Sequence, residues 1–157
     1  MHMNNIIVNP EDNKELALKI WRTVKNFHHD YPMKRDYCDS INTDLKQELA
    51  YDGIKARRVY GLYKVNTFIG WLDENDFTDD ELDRIMEVYG EALYREDLEN
   101  YVKSLPEAEQ KEYLYVPHVF LLCQNLILDA ASDMFSEFAK QSKFNYFYDN
   151  KKSVVGV

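Results

Sequence analysis

A histidine and an aspartate frame the stretch "YVPHVFLLCQNLILDAA", Tyr115 to Ala131, otherwise two short apolar runs around Gln124-Asn125. If those two residues form a tight hairpin turn, residues i and 249 − i face each other, so Leu122 opposes Ile127 and Phe120 opposes Asp129. Side chains alternate along a strand, which puts His118, Phe120 and Leu122 on one face. Asp129 lies on that same face, diagonal to His118. Diagonal neighbours sit ~7–8 Å apart at the backbone, close enough for a carboxylate to bond an imidazole nitrogen. Such a pair orients and charges the imidazole for general acid–base work.

An oriented imidazole needs a group to activate, and Cys38 is the candidate. The Asp36-x-x-Asp39 start resembles a capping box and predicts a helix whose first turn holds Cys38. There the helix dipole and the free backbone N–H groups favour thiolate over thiol. Cys38, Ile41, Leu45 and Leu49 share the inward face of this helix, so Cys38 can meet a sheet. Cys123 falls on the strand face opposite His118 and reads as a structural cysteine. Each residue also has a plainer reading. Cys38 fits simple packing on an apolar stripe, His118 fits a hydrogen-bonded core histidine, and Asp129 fits a cap for a helix beginning near Ser132.

Taken in order, these residues resemble a known family. A Cys at a helix start, "GIKARRVYG" from Gly53 to Gly61, His118 followed by Phe120, and "ILDAASDMF" from Ile127 look like the transglutaminase-like core of the papain-like cysteine hydrolases. Where members commonly have Asp-Pro-Thr, this chain has Asp129-Ala130-Ala131. The resemblance covers roughly residues 36–72 and 115–138. It implies a Cys-His-Asp triad in which Cys38 is the nucleophile, His118 the general base and acid, and Asp129 the orienting carboxylate. The implied oxyanion hole combines the Cys38 N–H with a second donor, for which Asn26, His28, His29 and Tyr37 are the upstream polar candidates. The implied activity is that of a protease, amidase, deamidase or transglutaminase acting on a protein or peptide amide. Some members of the family are inactive, which leaves a binding or inhibitor scaffold as the alternative.

The remaining pattern must position these residues. Asn9-Pro10 opens a first helix with Leu16, Ile20, Val24 and Phe27 on its packed face. The second helix runs to "YDG", where Gly53 is the stop. "IKARRVYGLYKV" alternates as a strand, Val116–Cys123 and Leu126–Asp129 follow as the hairpin, and "FNYFY" reads as a last strand. Met134, Phe135, Phe138 and Ala139 suggest a short amphipathic helix. Thr78-x-x-Glu81 and Ser104-x-x-Glu107 read as capping boxes within a helical segment, residues 73–112. The order predicts an α+β fold of one domain, 1–157, with N-terminal helices packed on an antiparallel sheet and 73–112 as an acidic helical insertion.

At 157 residues and 45% hydrophobic, the chain can bury one proper core. The net charge of −9 is concentrated: Asp73 to Glu112 holds 15 acids and 4 bases, leaving 13 acids and 15 bases elsewhere. Direct nucleic-acid binding is disfavoured, because such a surface repels phosphate. The same acidity suits a basic substrate or partner. No apolar run is long enough to span a membrane. The first fifteen residues lack the basic-then-apolar pattern of a secretory signal. Two distant cysteines without an export signal predict free thiols in the cytoplasm. His28-His29 has no partner at metal-ligand spacing, and "DENDFTDDELD" lacks the glycine and closing glutamate of a calcium loop. Neither metal nor cofactor is expected.

Overall fold

The first helix starts later than Asn9-Pro10 suggests. In the computed structural model, which describes residues 6–25, 27, 38–135 and 142–149, Pro10–Asp12 form a 3-10 turn. Asn13 then accepts the Leu16 N–H as the N-cap of α1 (Lys14–Val24). An Asn side chain oxygen satisfies an otherwise orphaned helix N–H, so Asn13 is the true start signal. Asn9 is engaged elsewhere: it donates to the Asn125 carbonyl and accepts from the Ile127 N–H, bracing the hairpin turn.

Helix α2 (Cys38–Tyr51) buries Cys38, Ile41, Asn42, Leu45 and Leu49 along one stripe. Gly53 ends it at φ +75°, where a side chain would be strained. The N–H groups of Gly53 and Ile54 close back onto the carbonyls of Ala50 and Leu49. Asp36 and the capping box predicted around it lie outside the described residues, as do Phe138 and Ala139 of the predicted C-terminal helix. Ser132–Phe135, at the start of that segment, is a 3-10 turn.

The strands β1 (Arg57–Lys64), β2 (Tyr115–Cys123), β3 (Leu126–Leu128) and β4 (Tyr146–Phe147) form an antiparallel sheet in the order β3-β2-β1-β4. Leu121 pairs with Leu128, Leu122 with Ile127 and Cys123 with Leu126. Gln124, at φ +55°, takes the left-handed conformation that a two-residue turn requires. Strand β3 stops one residue short of Asp129. The N-terminal segment covers the outer edge of β3: Ile7 bridges to Leu128, and the Val8 N–H reaches the Ile127 carbonyl. Helices and hairpin share one core, in which Ile20, Val24, Ile41, Leu45 and Leu49 pack with Ile6, Ile7, Leu121, Cys123, Leu126 and Leu128. The fold is α+β.

The chain divides into two compact units, Met1–Lys64 with Pro117–Val157, and Val65–Val116. The second contains α3 (Asp79–Tyr89), α4 (Arg95–Ser104) and α5 (Glu107–Gln110), and has its own core of Phe68, Leu72, Phe77, Ile85, Leu98 and Val102, to which α3 and α4 contribute. Thr78 and Glu81 form the expected capping box of α3. Ser104 and Glu107 do not. Ser104 is the last residue of α4 and donates to the Tyr101 carbonyl, while Pro106 stands at the start of α5. Among the described residues, no helix is long and apolar enough to cross a membrane.

Candidate active site

Strand alternation and hairpin register bring His118 to Asp129. The imidazole Nε2 lies 2.7 Å from Asp129 Oδ2, and both side chains are fully buried. A charged carboxylate is costly to bury unless its lone pairs are occupied. Asp129 meets that condition. Oδ1 accepts the Asn42 Nδ2–H at 3.1 Å and the Ala131 N–H at 3.0 Å, and Oδ2 also accepts the Tyr146 hydroxyl at 2.6 Å. The Ala131 bond is a local Asx-type turn, closed further by the Ser132 N–H to the Asp129 carbonyl.

Burial works against this carboxylate, but the His118 charge and the bonds from His118, Tyr146 and Asn42 outweigh it. They hold the Asp129 pKa below its ordinary value. For His118, burial alone disfavours the imidazolium. The Asp129 charge, its hydrogen bond and the neighbouring Cys38 sulfur dominate, and the pKa is pushed up to about 9. The pair is therefore arranged as carboxylate and imidazolium at neutral pH.

Cys38 is the first described residue of α2 and is buried beside this pair. Its Sγ accepts the backbone N–H of Val119, the residue after His118, at 3.4 Å. Because Nε2 of His118 is committed to Asp129, Nδ1 is the nitrogen left for a thiolate. Nδ1 is buried and has no hydrogen-bond partner among the described residues. Both cysteines are free thiols. Cys123 packs in the main core with Leu121 and Leu126, and burial raises its pKa.

Aromatic rings enclose the imidazole. Phe120 stacks on His118 at 6.0 Å between ring centres, and Phe135 meets it edge-on at 4.8 Å. Tyr63 lies flat against Phe135 at 3.7 Å and is itself fully buried. Such walls exclude water, which strengthens the ion pair inside them.

Cys38, His118 and Asp129 thus come together in one unit of the chain. Sequence reasoning missed Asn42 and Tyr146. Asn42 left a signal, since it is a polar residue one helical turn after Cys38 on an apolar stripe. Tyr146 left none, because which tyrosine of "FNYFY" points inward depends on a two-residue strand. The four candidates for a second oxyanion donor and the His28-His29 pair lie outside the described residues. Among the described residues, no cluster of His, Cys, Asp and Glu is arranged to hold a metal ion. Comparison of the chain with protein-family models, curated proteins and solved structures gives no match.

Proposed function

We propose that the chain is a cysteine-dependent amide hydrolase or acyl-transferase on a transglutaminase-like core, acting through Cys38, His118 and Asp129 in the reducing cytoplasm. The observation that carries this reading is the buried His118–Asp129 pair, which leaves one imidazole nitrogen without a hydrogen-bond partner among the described residues, in a site where Cys38 is a close neighbour of the imidazole. A purely structural histidine in such a place would have both nitrogens satisfied.

The Cys38 thiolate attacks the carbonyl carbon of an amide, and the Cys38 backbone N–H holds the developing oxyanion. The carbon–nitrogen bond then breaks as the imidazolium gives its proton to the departing amine, leaving a thioester. His118, now neutral, takes a proton from water or a second amine. That nucleophile displaces Cys38 as thiolate and leaves an acid or a new amide. Asp129 stays ionised throughout and holds Nε2. The substrate is a protein or peptide amide, and a basic one suits the acidity of residues 73–112.

The test is to incubate the full chain with a mixed peptide pool and an added primary amine, and to read cleavage, deamidation and amine incorporation by mass spectrometry. Cys38→Ala is expected to abolish whichever product forms. Turnover that persists in that variant contradicts the assignment.

A second reading draws on the compact unit Val65–Val116, which has its own core and carries the acidic segment. In it, the unit docks a basic protein surface and the thiol site is inactive.

A further inference from the structure

Asn42 is the least expected residue of the α2 stripe. It is fully buried, with no exposed surface, in the interior of a helix. Asn is a poor helix former because its side chain competes for backbone groups, and a buried amide is costly unless every polar atom is matched. Here all are engaged across the fold. Nδ2 donates to the Val119 carbonyl at 2.9 Å and to Asp129 Oδ1 at 3.1 Å, and Oδ1 accepts the Ala130 N–H at 2.8 Å.

We infer that Asn42 is the positioning residue of this site, locking the helix that carries Cys38 to the strand that carries His118 and to the Asp129 carboxylate. The inference rests on the thiol reading above. Residues four apart on a helix lie on one face, about 6 Å along the axis. Asn42 is therefore one turn below the sulfur, and its contacts fix where that turn sits against β2. Val119 is held on both sides: its carbonyl accepts from Asn42 and its N–H donates to Cys38 Sγ. The spacing between thiol and imidazole is thus set by one residue's backbone, clamped from α2.

The amide is also the side chain of this size that serves both neighbours. Asp at this position would set a carboxylate against Asp129 Oδ1 and against the Val119 carbonyl, two acceptors facing an acceptor. Leu would fill the volume but strand the Ala130 N–H and release Oδ1. Because Asn42 occupies Oδ1, Oδ2 is turned toward His118, and a neutral donor supports the charge of Asp129 without cancelling it.

The experiment uses the full chain in a Cys123→Ser background. Alkylation of Cys38 by iodoacetamide is followed against pH, with thermal melting measured on each variant. The unsubstituted site is expected to keep its reactivity below neutral pH. Asn42→Leu is expected to melt cooperatively but to react about tenfold more slowly there, the equivalent of one pKa unit. Asn42→Asp keeps the shape of the side chain and serves if the Leu variant does not fold; it is expected to lose at least as much reactivity. Asn42→Asp combined with Asp129→Asn restores a hydrogen bond between the two positions. That double variant should recover melting temperature relative to Asn42→Asp, yet remain unreactive at low pH because His118 then faces an amide.

A site in which Asn42→Leu or Asn42→Asp lowers the melting temperature but leaves the pH profile unchanged overturns the inference, since Asn42 would only be packing. If Cys38 of the background protein itself titrates near ~8.5 like an ordinary thiol, the thiol reading fails and this inference with it. The two failures are therefore told apart within one data set.

Discussion

At the scale of single residues, Asn42, His118 and Asp129 stand out among the buried polar side chains, which also include Asn9 and Ser132, because burying them is costly unless they are matched to one another. Their energetics make a pH signature. The folded-state pKa of His118 is raised, from the ordinary ~6.5 to about 9. Its contribution to stability is therefore complete below the unfolded value and is lost as pH rises through the folded one. Asp129 has a lowered pKa, so its contribution holds above ~3.9 and is lost as pH falls through its folded value. The melting temperature is thus expected to decline between pH ~6.5 and ~9. The double variant His118→Gln with Asp129→Asn should flatten that decline. An equal slope in both proteins would show that the pair is not ionised as described. His118→Gln alone should cost about 3–5 kcal/mol in chemical denaturation, because it removes the positive charge opposite a buried carboxylate. At this scale the site was partly legible. His118, Asp129 and Cys38 are reached by strand alternation, hairpin register and helix start, all local rules. Asn42 and Tyr146 act through tertiary contacts, which no short-range period encodes.

At the scale of elements, the site depends on how α2, the hairpin and β4 meet β1. Arg58 of β1 donates through Nη1 to Asp39 at 2.6 Å and to Thr43 at 2.7 Å, tying the strand to the first turns of α2 beside Cys38. Gly61 lies where β4 crosses closest. A Cβ there would clash with the Phe147 carbonyl oxygen and press on the Phe120 ring at 3.1 Å and Tyr148 Cβ at 3.2 Å. Backbone cannot step aside as a flexible side chain can. Gly61→Ala is expected to cost about 1–3 kcal/mol and to loosen β4, which delivers the Tyr146 hydroxyl to Asp129. Chemical denaturation reads the first effect, and hydrogen exchange at Tyr146 and Phe147 reads the second. A Gly61→Ala protein with unchanged stability and protection would contradict that packing. The helices, hairpin register and β1 follow from apolar periodicity and turn residues. The Ser104 capping box failed because Pro106, rather than Ser104, precedes the next helix. The cover of β3 by Ile6, Ile7 and Val8 was not foreseen, because three apolar residues are too few to show a period.

At the scale of the whole chain, the acidic segment and the candidate site residues fall in different compact units. Cys38, His118 and Asp129 belong to the unit made of Met1–Lys64 and Pro117–Val157, while the segment with 15 acids and 4 bases lies within Val65–Val116. Composition made this concentration visible, though it did not reveal that the segment folds around its own core. If the acidic unit selects a basic substrate or partner, reversing Asp79, Asp80 and Asp83 to Lys should weaken that binding several-fold at low salt and less at high salt. All three are exposed on α3. Affinity indifferent to both salt and reversal would remove the acidic unit from recognition.

Under the proposed function, Cys38 and His118 act as one thiolate–imidazolium pair. The pH dependence of Cys38 alkylation in the Cys123→Ser protein, with and without His118→Ala, tests this. Reactivity is expected to persist well below neutral pH and to collapse toward that of an ordinary thiol, near ~8.5, when His118 is removed. A Cys38 that is inert, or that titrates alike whatever occupies position 118, would contradict it.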